Sequence, residues 1–188
     1  EFVTKMVDAG ESKIYMSTRD TLIRAFMAGA ILALAAVFAV SASVMSGSAL
    51  IGALLFPVGV CMLYLLGFDL LTGVFMLTPL AWLDKRPGAS IRGILRNWAL
   101  VFAGNFLGAL TVAGMMAFIF TYGFSVPPNE IGQKIGHIGE ARTLGYAQYG
   151  LMGWATIFLR GVLCNWMVST GVVGAMISTT VSGKVIAM

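Results

Sequence analysis

Residues 67–73, Gly-Phe-Asp-Leu-Leu-Thr-Gly, place an acid, a hydroxyl and two glycines inside an apolar run from about Ala49 to Leu83. A carboxylate at membrane depth costs roughly 2.5 to 3.5 kcal/mol, so Asp69 must face protein or water rather than lipid. Gly67 and Gly73 permit backbone angles that a helix cannot use, and they can bracket a short loop between two half-helices. Such a break is tolerated only where it lines a cavity, and the second half-helix begins with a partly positive N-terminus. The chemistry that this stretch favours is the binding of an anion.

Asp69 and Thr72 suit different tasks within this break. A bare carboxylate in an anion pathway would repel its cargo, so we expect Asp69 to anchor the loop by accepting hydrogen bonds from loop amides. Direct contact between Asp69 and the permeating ion is the alternative. The hydroxyl of Thr72 is neutral and donates hydrogen bonds, which makes Thr72 the stronger candidate for contact with the ion.

Two more polar residues interrupt the apolar segment at about 149–176. The amide of Asn165 can donate to an anion without a fixed charge, or it can hydrogen-bond to a neighbouring helix. Val168 lies three residues further on, shares that helix face, and is expected to narrow a pore. Arg160 requires a partner or a cavity at this depth. It either concentrates anions or anchors the span by binding carbonyls, and we favour anchoring.

Composition predicts an all-α, polytopic membrane protein, because 59% of the 188 residues are hydrophobic and 11% are charged. The basic residues form no single patch, so no nucleic-acid partner is expected. His137 is the only histidine, and its polar surroundings offer only Glu130 and Glu140 as nearby acids. We therefore expect no metal, no cofactor and no enzymatic activity.

Four apolar segments predict membrane spans, at about 21–44, 49–83 with its break, 93–122 and 149–176. A polar tail precedes them at 1–20, and Pro57 is expected to kink the second span. A fifth apolar run begins at Lys184, and the sequence starts without Met, so we expect a fragment of a longer protein. Two pairs of small residues four apart predict close helix packing, namely Ala25 with Gly29 and Gly104 with Gly108.

The distribution of basic residues predicts the orientation. The N-terminal segment and the loop after the second span each carry four basic residues: Lys5, Lys13, Arg19 and Arg24 in the first, and Lys85, Arg86, Arg92 and Arg96 in the second. The segment at about 123–148, which we expect to be an irregular extramembrane loop, has only Lys134 and Arg142. The positive-inside rule then predicts a multi-pass protein of the cell membrane, inner or plasma, with a cytoplasmic N-terminus.

Three stretches resemble the formate/nitrite transporter family. The Asp69–Thr72 core is similar to its broken-helix loop, which carries an Asp/Glu-Leu-Phe-Thr stretch. Asn97-Trp98, followed by residues 104–109 (Gly-Asn-Phe-Leu-Gly-Ala), resembles the third span of the family, and Arg160–Val168 resembles the fourth. The three stretches occur in the family's order.

The resemblance implies an aquaporin-like inverted-repeat helical bundle, of which residues 1–188 form a partial domain. It also implies a homopentamer in the lipid bilayer, each protomer having its own pore for small monovalent anions such as formate or nitrite, with protons as a further candidate partner. Thr72 falls at the gating threonine of the family. Leu71 falls at its aromatic constriction, where this chain has Leu instead of Phe. Phe56 and Val60 fall on the facing wall.

Other functions stay open. An aquaporin-like channel for neutral solutes would need an Asn-Pro-Ala loop, and that tripeptide is absent from the sequence. A membrane enzyme would need clustered histidines or acids. A purely structural, oligomerising protein would have no reason to bury Asp69 and Arg160. Among anions, hydrosulfide or another weak-acid anion would be stabilised by the same donors as formate.

Overall fold

The computed structural model describes residues 2–188, and the regular elements within that range are helical. They are α1 (Phe2–Tyr15), α2 (Thr18–Ser46), α3 (Ala49–Leu55), α4 (Pro57–Leu65), α5 (Leu71–Leu83), α6 (Ile91–Phe120), α7 (Glu130–Arg142), a 3-10 turn (Leu144–Tyr149), α8 (Gly150–Ile177) and α9 (Val181–Ala187). By length and apolar composition, α2, α6 and the stretch that contains α8 could each cross a membrane. The predicted class, an all-α polytopic membrane protein, is confirmed.

The core lies where α2 packs along α6. A Cβ at Gly104 would overlap the side chain of Ala25, and a Cβ at Gly29 would overlap the backbone of Asn105. A Cβ at Gly108 would likewise overlap the backbone of Phe26 in α2. Small residues let two helix backbones approach closely, and that approach is what holds helices together in lipid. The close helix packing predicted at the two pairs of small residues is confirmed, and the structure shows that the two pairs pack against each other.

The second span is broken between α4 and α5. Gly67 has φ +72°, its N–H donates to the carbonyl of Tyr64 at 3.1 Å, and the N–H of Phe68 donates to that of Leu63 at 2.9 Å. This is a Schellman motif, which ends α4 and requires the left-handed backbone that glycine tolerates. The loop therefore begins at Gly67, as predicted.

The second predicted boundary of the loop is wrong, because α5 begins at Leu71 and Gly73 lies within its first turn. Leu70 adopts an extended backbone, with φ −97° and ψ 140°. Its carbonyl accepts the N–H groups of Gly73 at 3.0 Å and Val74 at 3.2 Å. An ordinary residue can hold that extended backbone, so the helix starts without a glycine. Before the break, α3 ends and α4 begins at Phe56 and Pro57, and Phe56 itself keeps helical backbone angles.

Within the predicted polar tail at 1–20, residues 2–15 form α1, which the composition did not indicate. Val7, Gly10 and Ile14 are buried on one face of this helix. A Cβ at Gly10 would overlap the carbonyl of Leu77, which shows how closely α1 lies on α5. The other face is polar and exposed, so the helix is amphipathic. Because its exposed face is charged, the sequence of this segment was interpreted as a polar tail.

The predicted irregular loop at about 123–148 is also wrong, because it contains α7 and the 3-10 turn. The side chain of Asn129 accepts the N–H of Gly132 at 2.9 Å and caps α7. Glu130 lies in its first turn and Arg142 in its last, where each charge complements the helix dipole. Together, the cap and these charges offset the low helix propensity of the glycines in α7.

Candidate functional site

A cavity of about 280 Å³ lies at the break of the second span. Its walls come from α1, α4, α5, the connecting loop and α8. Most of the lining is apolar, including Val60, Leu63, Val168 and Val172. The polar side chains that join this lining are those of Lys13, Tyr64, Asp69 and Thr72.

Thr72 is the second residue of α5, and its hydroxyl oxygen is buried without a hydrogen-bond partner among the described residues. Threonines further from a helix start behave differently. The hydroxyl of Thr78 donates to the carbonyl of Val74, and that of Thr111 to the carbonyl of Leu107, each at 2.8 Å. Thr72 lacks this option, because the residue four positions earlier belongs to the loop. A buried hydroxyl without a partner is uncommon in folded proteins, and here it belongs to a residue that lines a cavity.

Asn105 of α6 holds the loop backbone from the other side. Its Nδ2 donates to the carbonyl of Ala25 at 2.8 Å and to the carbonyl of Asp69 at 2.9 Å. Its Oδ1 accepts the N–H of Leu71 at 2.9 Å. The sequence interpretation used Asn105 only as part of a motif. An asparagine among apolar residues, one position after a packing glycine, is the signal that could have identified it.

Asp69 is 2% exposed, and its Oδ1 forms an ion pair with Nζ of Lys13. The predicted partners of this carboxylate, the loop amides, are therefore wrong. The amide of Leu71 donates to Asn105 instead, and Oδ2 of Asp69 is buried without a partner among the described residues. The amide of Asn97 donates to the carbonyl of Lys13 at 3.0 Å and fixes this end of α1. Lys13 was missed as a site residue because its segment was interpreted as a tail.

Trp98 joins α5 to α6. Its indole N–H donates to Oγ1 of Thr78 at 2.9 Å and to the carbonyl of Val74 at 3.2 Å. Its ring packs edge-to-face with Phe75, with 4.7 Å between the ring centroids. Asn97 and Trp98 are adjacent in the sequence but serve two elements, since Asn97 bonds to α1 and Trp98 to α5.

The structure brings six of the ten predicted site residues to the cavity: Thr72, Val60, Val168, Asp69, Gly67 and Gly73. Leu71 is not part of this lining. It packs with Trp98 against the buried cluster of Ala25, Val74 and Val101. Phe56 is 36% exposed and also lies outside the lining.

Asn165 and Ser169 form a polar pair one turn apart on α8. The Oδ1 atom of Asn165 and the Oγ atom of Ser169 are buried without partners among the described residues. Val168 and Val172, which share this side of the helix, line the cavity. Contact between Asn165 and an ion stays a prediction. Ser169 was missed, although its spacing of four from Asn165 was visible in the sequence.

Among the described residues, Arg160 hydrogen-bonds to no carbonyl, and it lies outside the cavity lining. It is exposed, its Nη1 donates to the hydroxyl of Tyr146, and its guanidinium lies 5.6 Å from the centroid of that ring. This is a cation–π contact with the 3-10 turn that precedes α8. Anchoring by Arg160 thus involves a tyrosine, and the predicted carbonyl partners are wrong.

The negative charge of Asp69 at the break is compensated by positive groups. Lys13 neutralises Asp69, and Nη1 of Arg24 donates to the carbonyl of Gly67 at 3.3 Å. The first turn of α5 adds the partial positive charge of a helix N-terminus. An anion beside Thr72 would therefore meet a neutralised carboxylate, a free hydroxyl and a positive helix end.

The chain matches one family over its whole length. A sequence model described as "Formate/nitrite transporter" matches residues 1–188. A "Probable formate transporter" of Methanothermobacter thermautotrophicus is 36% identical over 69% of this chain and 48% of the relative. The "Formate channel FocA" of Haemophilus influenzae is 32% identical over 86% of this chain and 55% of the relative. The chain thus spans about half the length of these two relatives. It belongs to the formate/nitrite transporter family.

Proposed function

We propose that this chain forms part of a channel or secondary transporter for small monovalent anions, with formate or nitrite as the cargo. The observation that carries the proposal concerns Thr72, which lines the cavity at the helix break and whose hydroxyl oxygen is buried without a partner among the described residues. A neutral donor in an apolar cavity stabilises an anion without trapping it, which conduction requires. The family model and the relatives named for formate support this choice of cargo.

The proposed passage uses the apolar walls and the polar break together. Val60 and Val168 narrow the path and force an entering ion to shed part of its water. The Thr72 hydroxyl and the N-terminus of α5 replace that water. Lys13 cancels the charge of Asp69, so that the carboxylate does not repel the ion.

The membrane setting is part of the proposal. The chain lies in the cell membrane with α1 and the loop at 84–90 on the cytoplasmic side, since basic residues concentrate there. Each protomer of a homopentamer carries its own pore. Protons accompany the anion or are exchanged with it.

The test replaces Thr72 with Val in the whole protein. The Thr72→Val variant keeps the side-chain shape and removes the donor, so formate influx into liposomes should fall by about tenfold, the value of one hydrogen bond to a charged group. Thr111→Val is the matched control, because Thr111 is exposed and donates only within its own helix. Equal formate influx for Thr72→Val and wild type, at equal amounts in the liposomes, would contradict the proposal.

A further inference from the structure

The side chain of Asn105 makes three hydrogen bonds at the helix break, out of the four that an amide can make. It donates twice, to the carbonyls of Ala25 and Asp69, and accepts once, from the N–H of Leu71. Backbone bonds already satisfy most polar groups within a helix, so a side chain from another helix is needed only where the backbone is broken. Asn105 is therefore a cross-link between α2, α6 and the loop that ends at Leu70.

The two bonds to the broken span hold the peptide groups on either side of Leu70. The carbonyl of Asp69 belongs to the peptide before Leu70, and the N–H of Leu71 belongs to the peptide after it. Fixing both peptides sets the direction in which α5 starts. Thr72 is the next residue, so the direction of its hydroxyl and of the positive helix end follows from these bonds.

Lys13 and Asn105 act on different parts of Asp69. Lys13 pairs with the carboxylate from α1, whereas Asn105 holds the backbone carbonyl from α6. Neutralising the charge and orienting the loop are thus separate tasks. A change at Asn105 alters the direction of α5 and leaves the ion pair in place.

Other polar side chains do not reproduce the three bonds of Asn105. Its backbone touches Gly29 so closely that a Cβ on that glycine would overlap it, which fixes the position of the Asn105 backbone. Gln would add a methylene and move its amide away from the three partners. Asp would keep the acceptor for Leu71 but would turn a carboxylate oxygen towards two carbonyls. The close packing of the two helices therefore selects the amide and its length.

We infer that Asn105 is a positioning residue for anion passage, which aims the first turn of α5 and the Thr72 hydroxyl into the cavity. The inference rests on the proposed function, because the cargo that it positions these groups for is the proposed anion. Asn105 does not line the cavity itself. It acts through the backbone of residues 69–71.

The first experiment measures formate influx against formate concentration for the whole protein in liposomes. Asn105→Asp should raise the half-saturating concentration by about tenfold, because the displaced helix end no longer meets the ion. Gly104→Ala is the matched control, since it disturbs the same helix contact without touching the amide. It should lower the thermal stability and leave the half-saturating concentration unchanged. Equal shifts in both variants, or no shift in Asn105→Asp, would overturn the inference. Asn105→Ser is measured in the same way if Asn105→Asp does not assemble.

The second experiment needs no transport. Cys61 and Cys164 are replaced by Ala, and Thr72→Cys then serves as the reporter for a small charged thiol reagent. Adding Asn105→Asp should change the reaction rate of this cysteine, and adding Gly104→Ala should leave that rate unchanged. An unchanged rate in Asn105→Asp would overturn the inference even if formate flux were lost. If the wild-type protein shows no formate influx but the thiol reaction rate of Thr72→Cys still responds to Asn105→Asp, the proposed function is overturned and the positioning role is supported.

Discussion

Asp69 carries its charge at a site where 2% of its surface is exposed. Removing a charge from water costs several kcal/mol, so the carboxylate is stable there only with a partner. Lys13 supplies that partner from α1, and its own side chain is 16% exposed. The ion pair therefore depends on both residues, and losing either one leaves the other without compensation.

We expect Lys13→Met to destabilise the purified protein by about 3 to 5 kcal/mol, because it leaves a buried carboxylate without a counter-charge. The double variant Lys13→Met/Asp69→Asn should recover part of that loss. Thermal unfolding in detergent measures both effects. Lys5→Met is the control on the exposed face of the same helix. Identical unfolding temperatures for Lys13→Met and Lys5→Met would argue against the pair.

Helix α1 forms one wall of the cavity, to which it contributes Ala9 and Lys13. Its apolar face packs on α5, and the guanidinium of Arg86 bonds to Asp8 on its polar face at 2.9 Å. The hydroxyl of Tyr15 donates to the carbonyl of Pro87 at the same end of the molecule. Apolar packing and polar contacts thus hold α1 against the second half of the broken span.

We expect Gly10→Leu to release α1 from α5, because any side chain at Gly10 overlaps the carbonyl of Leu77. Limited trypsin digestion should then cut after Lys5 and Lys13 faster than in the wild type. Ser12→Leu adds the same side chain on the exposed face and should leave the digestion rate unchanged. If Gly10→Leu and wild type are cut equally fast, α1 does not depend on this contact.

The molecule has two distinct ends. At one end, Arg96 of α6 donates to Oγ1 of Thr18 at 2.6 Å, which joins the start of α6 to the start of α2. At the other end, Lys134 and His137 of α7 border a second cavity together with Gly47, which follows α2. Basic residues concentrate at the first end. The orientation proposed for the membrane follows from this asymmetry.

We expect a membrane-impermeant maleimide to label Gly136→Cys and not Ser12→Cys in intact cells. Both changes are made in a chain whose Cys61 and Cys164 are replaced by Ala. Position 136 has open space around it on α7, and position 12 is exposed on α1, so both are accessible on their own side. Disrupting the cells should make Ser12→Cys reactive as a control. Labelling of Ser12→Cys in intact cells would reverse the proposed orientation.

Local patterns in the sequence were sufficient to predict long apolar helices, the loop boundary at Gly67 and close helix packing at the small-residue pairs of α2 and α6. Each depends on residues close together in the chain. A run of apolar residues predicts a span, a glycine permits a left-handed turn, and small residues four apart share a helix face. Local patterns failed for α1 and α7. The charged face of α1 concealed a narrow apolar stripe of Val7, Gly10 and Ile14, and the glycines of α7 suggested a loop.

The partners at the break were decided only by the tertiary structure. Lys13 reaches Asp69 across 56 positions of sequence, and Asn105 reaches Leu71 across 34. Periodicity shows which residues share a helix face, but it does not show which faces of distant helices meet. That depends on how closely α2 and α6 approach and on how α1 docks on α5. The same packing left the hydroxyl of Thr72, a residue of the cavity lining, without a partner among the described residues.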